Sequence, residues 1–143
     1  MRVLVISHSA AQITYHRKFE EISKYNDIQI RVIIPNKWVE NTIVLYAQTY
    51  ERENLSFHSG KVTFPGYGSR FFFLSGIIKH FYEFKPNIIH LEEEPWSLCA
   101  LQVLILRRIF CPKSKLIFRT SLSIPAKQKL NFSVSKIEKL TFK

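Results

Sequence analysis

Apolar positions in this chain fall in short blocks separated by polar punctuation. Arg2 to Ser7 (RVLVIS) is a β-branched apolar run bounded by polar residues, the pattern of a strand buried on both faces. From Thr14 to Tyr25 the period changes. Tyr15, Phe19, Ile22 and Tyr25 recur at helical spacing, with Glu20, Glu21 and Lys24 outside. Ile28 to Ile34 (IQIRVII) predicts a second strand, ended by Pro35, which has no N–H to donate to a ladder. Strand, helix and strand follow one another in about the length that a βαβ unit requires.

The middle has no sustained period from Asn36 to Asn54, and Leu55 to Phe64 predicts one or two short strands. Pro65, Gly66 and Gly68 mark a loop, and three of the four glycines lie between 60 and 68, which predicts a flexible connection. Regular structure resumes at Phe71, where Leu74, Ile77, Ile78, Phe81 and Phe84 form one helical face up to Pro86. Asn87 to Leu91 predicts a strand, Trp96 to Phe110 an apolar helix, Lys115 to Arg119 a strand, and Ser135 to Phe142 the start of a basic helix. Strands alternating with helices predict an α/β fold: a Rossmann-like parallel sheet with helices on both faces.

Composition narrows the class. Hydrophobic residues make up 46% and charged residues 22% of the 143, which suits one globular domain. Cys99 and Cys111 are too few for a disulfide framework, and Cys99 within its apolar run reads as core. No secretory signal is expected, and Leu98 to Leu106 is too short to span a bilayer, so a cytoplasmic location is expected. The net charge of +10 is lopsided: residues 1–106 carry 11 Lys or Arg against 10 Asp or Glu, and residues 107–143 carry 10 against Glu138 alone. Such a tail suits a solvated surface, an anionic partner, or a face covered by further chain. It lacks the interleaved aromatics of a single-strand binder, so no nucleic-acid partner is expected.

In open parallel sheets, ligands bind beyond the carboxyl ends of the strands. That rule selects Ser7 to Gln12, His90 to Trp96, and Thr120 to Pro125. Three adjacent carboxylates, Glu92, Glu93 and Glu94, repel one another, so packing alone gives little reason to gather them. Ser97 or Glu94 can cap the helix that follows. Glu92 is the candidate for accepting hydrogen bonds from sugar hydroxyls or taking a proton from one. His90 is open to a substrate contact or a buried backbone bond, and His8 is a candidate ligand contact. His16 reads as surface, and His58 and His80 show no partner pattern. Dinucleotide glycine spacing, metal-ligand spacing and a nucleophile elbow are all missing, so no cofactor and no metal are expected. Arg70 with Phe71, Phe72 and Phe73 either packs under the glycine loop or touches a membrane interface.

Lys85 to Gln102 (KPNIIHLEEEPWSLCALQ) resembles the fourth-strand region of the N-terminal domains of glycosyltransferase family 4, where a PDxIHxxxE pattern leads into a helix. MRVLVISHS resembles that family's first strand, IRVIIPNKWVE its second strand, and SKIEKLTFK the helix before its crossover. The resemblance implies one lobe of a GT-B architecture: residues 1–130 as the acceptor-side domain and 131–143 as the start of a helix toward a donor-binding lobe. It implies a retaining, hexosyltransferase-like enzyme of glycan or glycoconjugate synthesis, with a nucleotide sugar as co-substrate and no metal. A glycan or lipid-linked acceptor would be the partner, with a peripheral contact at the inner membrane face allowed. His90 and Glu92 would be catalytic; His8, Ser9, Glu93, Glu94 and Trp38 would line the acceptor and donor sites. The first loop departs from the family in lacking paired glycines, and without a donor lobe the chain alone is expected to transfer no sugar. A non-catalytic Rossmann-like module that grips a glycan or another subunit stays open.

Overall fold

The computed structural model describes residues 1–120. The rest of the Thr120 to Pro125 segment, the helix expected at Ser135 to Phe142 and the domain division at 130 lie outside the described residues.

The elements run β1 (Arg2–Ser7), α1 (Arg17–Ile22), β2 (Gln29–Pro35), β3 (Lys37–Glu40), β4 (Ile43–Tyr46), β5 (Tyr50–Arg52), β6 (Leu55–Gly60), α2 (Ile78–Tyr82), β7 (Ile88–Glu92), α3 (Leu98–Phe110) and β8 (Lys115–Phe118). Six strands form one sheet in the order β5-β6-β2-β1-β7-β8, and β3 and β4 form a separate hairpin. All neighbours in the sheet are parallel except β5, which runs antiparallel at one edge. From β1 the chain builds outward through β2 to β6, then returns to place β7 and β8 on the other side. Between β1 and β7 the strand order reverses, the switch point where open, mostly parallel α/β sheets form a crevice.

Alternation along the strands supplies both faces with apolar side chains. Val5, Val32, Ile34 and Phe57 pack against Phe19 of α1 on one face. Leu4, Ile6, Ile33, Ile89 and Leu91 face a larger cluster with Ile77, Phe81, Cys99, Val103 and Trp38 on the other. The sheet thus carries α1 on one side and α2, α3 and the hairpin's Trp38 on the other. Ser97 caps α3, its hydroxyl accepting from the Ala100 N–H at 3.0 Å. Among the described residues no helix is long and apolar enough to cross a membrane.

Several local expectations need correction. The helix expected from Thr14 to Tyr25 has one α-helical segment of six residues, and of its predicted apolar face only Phe19 is buried. His16, read as surface, is buried instead: its ring stacks on Phe57 at 3.8 Å and its Nε2 bonds the Ala10 carbonyl at 2.8 Å. The helix expected from Phe71 shrinks to Ile78–Tyr82, leaving Leu74 and Ile78 exposed. Phe71 and Phe73 are buried on the α3 side, which is the packing alternative for this aromatic run. Phe73 is held extended because the Gln102 side-chain amide of α3 accepts from its N–H at 2.9 Å and donates to its carbonyl at 2.7 Å. Gly60, placed in a flexible connection by its sequence neighbours, is the buried last residue of β6. It lies so close to Gly76 that a Cβ on Gly76 would sit 2.9 Å from the Gly60 Cα. His58 and His80, read as showing no partner pattern, lie side by side with their rings tilted by 40° and 4.6 Å apart, beside Arg31.

Candidate functional site

β1 and β7 end side by side at the switch point, with Ser7 and Glu92 paired in register. The Ser7 hydroxyl donates to Glu92 Oε2 at 2.8 Å. Having spent its proton there, it accepts from the Ala10 N–H at 3.2 Å and from the Ser9 hydroxyl at 3.0 Å. Ser7 is therefore a fully bonded buried hydroxyl that ties the loop after β1 to the end of β7.

Glu92 turns toward the α1 face. Its Oε1 takes the Lys18 ammonium and, at 3.1 Å, the Arg119 guanidinium from just beyond β8. Burial raises the Glu92 carboxyl, but the bonds from Lys18, Ser7 and Arg119 together outweigh it and hold the group below the ordinary carboxylate range. Both oxygens are engaged and the carboxylate is acidic, so it suits charge balance and orientation rather than proton abstraction.

Glu93, the next residue, lies beyond the strand and turns to the other side. Its Oε1 accepts from the His8 backbone N–H and its Oε2 meets His8 Nδ1, both at 2.7 Å. The Glu93 side chain is 1% exposed, the His8 side chain 29%. Burial raises Glu93. It also opposes charge on His8, but Glu93, with Glu40 and Glu92 behind it, more than offsets this and lifts the imidazole above its ordinary value. One bond to Glu93 is donated by the His8 backbone N–H, and a second joins its other oxygen to Nδ1. The His8 ring is clamped from behind by Trp38, 4.6 Å away, and edge-on by Phe71 at 5.9 Å.

His8, Ser9, Tyr15, Glu92, Arg119 and Thr120 line a depression of about 160 Å³ over this strand end. His8, Ser9 and Glu92 among the expected site residues therefore share one place, with Glu93 directly behind. The others are elsewhere. Trp38 is buried and supports the His8 ring rather than lining the depression. His90 lies two residues back along β7 on the α1 face, half-buried in a second depression that it shares with Val5, Lys18, Phe19, Glu92 and Ile117, and burial lowers its imidazole. Glu94 caps nothing with its side chain: its Oε2 is buried without a hydrogen bond, and its carbonyl accepts from the Ser97 N–H at 2.9 Å.

Lys18, Tyr15 and Arg119 are site residues that sequence reasoning passed over. Arg119 stands one position before the segment chosen by the strand-end rule, so a margin of one residue would have caught it. Lys18 gave no signal, because it belongs to a short helix whose orientation is a tertiary property. Among the described residues no three His, Cys, Asp or Glu side chains gather to hold a metal ion. No family model, curated protein or solved structure matches the chain.

Proposed function

We propose that this chain is the acceptor-side lobe of a glycosyltransferase of GT-B type. In this reading it holds the hydroxyl that receives a sugar from a nucleotide sugar bound on a second lobe. The observation that carries it is the cluster at the β1–β7 switch point, where Ser7, Glu92, Lys18 and Arg119 form one closed hydrogen-bonded network beside the half-exposed His8. Lys18 and Arg119 keep N–H donors beyond those given to Glu92, fixed at this strand-end edge for a polyhydroxylated ligand, the kind of group that needs several convergent polar contacts.

The size of the depression supports the same reading. Pockets that enclose a whole small ligand run to about 300–1,000 Å³, and this one has about 160 Å³. It accommodates one sugar-sized portion of a ligand, and a nucleotide sugar needs a second wall. The KPNIIHLEEEPWS run that prompted the glycosyltransferase expectation supplies β7 and both engaged carboxylates.

Titration calorimetry of the chain with a panel of UDP-, GDP- and ADP-sugars tests this, first alone and then with a separately expressed donor lobe. Negligible binding alone, with binding and transfer in the mixture, is the expected result. Glu92→Gln then lowers transfer. Tight nucleotide binding by the lone chain overturns the assignment of lobes.

A further inference from the structure

We propose a second binding site, for a phosphate-bearing ligand, at the opposite edge of the sheet among Lys85, Lys113 and Lys115. It lies where β7 and β8 begin, away from the switch point, and so stands apart from the acceptor-lobe reading. The residues just before β7 and the turn from α3 into β8 enclose a depression of about 520 Å³. Pockets that hold a whole small ligand run to about 300–1,000 Å³. Pro86, Phe110 and Pro112 give this one apolar walls, and its lining holds the three lysines and no Asp or Glu.

Like charges gathered on a concave surface repel one another, so folding gives no reason to collect them. Elsewhere the cations find carboxylates: Lys18 and Arg119 meet Glu92, Lys24 meets Glu21 and Arg52 meets Glu20. Among the described residues no carboxylate forms an ion pair with Lys85, Lys113 or Lys115. The negative end of α3 favours cations in its last turn, but Arg107 and Arg108 already stand there. Lys85 and Lys115 come instead from the starts of β7 and β8. Lys85 also has a φ of 47°, between buried Phe84 and buried Pro86. A residue with a Cβ is strained in that region, and such strain gathers at ligand sites.

The walls are tied to each other. The Ser114 hydroxyl donates to the Pro86 carbonyl at 2.5 Å, and the Lys115 N–H donates to the Asn87 carbonyl at 2.9 Å. Arg107 Nε donates to the Ser114 carbonyl at 2.7 Å. A site built this way loses little freedom on binding. Asn87 Oδ1 accepts from the Arg2 N–H at 2.8 Å, which identifies the other end of the amide as NH₂, a donor. The lining therefore offers ammonium and amide donors to a group that only accepts. A phosphate monoester or a pyrophosphate answers several cations at once, where a single carboxylate answers one. The apolar walls suit the uncharged body of the ligand. Such a group arrives on a soluble organic phosphate or on a phospholipid headgroup.

Amide NMR of the full chain, titrated with phenyl phosphate, inorganic pyrophosphate and benzoate, tests the site. Saturable shifts at Asn87, Phe110, Cys111 and Lys113 to Lys115 are expected with both phosphates, and much weaker ones with benzoate. Lys113→Gln and Lys115→Gln, both at exposed positions, are each expected to raise the phenyl phosphate Kd by about tenfold. Lys136→Gln and Lys139→Gln, in the basic tail, are expected to leave it unchanged. Co-sedimentation with phosphatidic acid vesicles but not phosphatidylcholine vesicles, lost in Lys113→Gln, identifies the source as a lipid headgroup. Saturable phenyl phosphate binding without co-sedimentation identifies a soluble ligand. Equal affinity for benzoate, shifts that spread over the basic surface without saturating, or a Kd unmoved by the two site variants overturns the proposal.

Discussion

Ser7 and Glu92 close the ends of two neighbouring parallel strands with one hydrogen bond of 2.8 Å between residues 85 positions apart in the chain. The bond is buried, and Ser7 is also the acceptor for the Ala10 N–H. Ser7→Ala removes a donor from Glu92 Oε2 and an acceptor from Ala10 together. The expected cost is about 1–3 kcal/mol, since buried groups lose their partners with no water to replace them. Urea denaturation of the two proteins checks it. Glu92 is expected to titrate higher in the variant, because one of the bonds that holds it down is gone.

Gly60 and Gly76 make a second, steric prediction. A Cβ on Gly60 would fall against the Ser75 carbonyl oxygen and 2.8 Å from the Phe73 ring, whereas one on Gly68 meets nothing within 4 Å. Gly60→Ala is expected to destabilise the fold by about 3 kcal/mol, as overpacking against backbone does. Gly68→Ala is expected to stay within about 0.5 kcal/mol of the parent. Equal melting temperatures for the two variants would refute the close approach of β6 to the turn before α2.

Acid should loosen the Arg31–His58–His80 cluster. Burial, then the neighbouring His58 and Arg31, pushes His80 down to about 3, and burial also lowers His58. The folded state keeps His80 neutral where the unfolded chain, near 6.5, takes up a proton. This contribution is therefore complete above about pH 6.5 and is lost as pH falls toward about 3. Its slope approaches about 1.4 kcal/mol per pH unit for one proton. His80→Leu, compared with the parent by denaturation at pH 7 and pH 4.5, is expected to show a smaller loss between the two.

The α3 cap gives a fourth expectation. Ser97→Ala leaves the Ala100 N–H without its acceptor and is expected to cost about 1 kcal/mol. Ser97→Asp, which restores an acceptor at the helix start, is expected to recover most of it in the same thermal denaturation assay.

The parts of the fold that the sequence shows are those whose local pattern needs no tertiary partner to be read. β1, β2, β7 and β8 are compact apolar runs, and α3 keeps its helical face with a capping serine in front. The β3–β4 hairpin is invisible for a local reason. Its turn residues Asn41 and Thr42 both have positive φ, and Thr42 occupies the place where a glycine would have announced the turn. The Phe71–Phe84 region misleads because Gln102, 29 residues away, offers Phe73 the two bonds a neighbouring strand would give. Before the fold is known, Gln102 is only an interruption in an apolar helix.

The site divides along the same line. The strand-end rule locates Ser7, His8, Ser9 and the glutamates because it depends on element order alone. Which glutamate is neutralised by cations and which holds the imidazole depends on Lys18, Arg119 and Trp38, whose positions are set by packing. His90 shows the limit of the rule: as a strand residue on the same face as Glu92, it sits among side chains of the sheet rather than beyond its edge.

Three consecutive glutamates where β7 leaves the sheet also have a bearing on error. A one-residue shift of this segment toward the sheet would carry Glu93 to the cation pair and Glu94 to the imidazole, so both stations would still receive a carboxylate. The same shift would turn His90 to the opposite face and put it in the apolar place now held by Ile89, which is fully buried. The acidic run is thus redundant and indifferent to its own frame. Ile89 and Leu91 are what decide which glutamate is which.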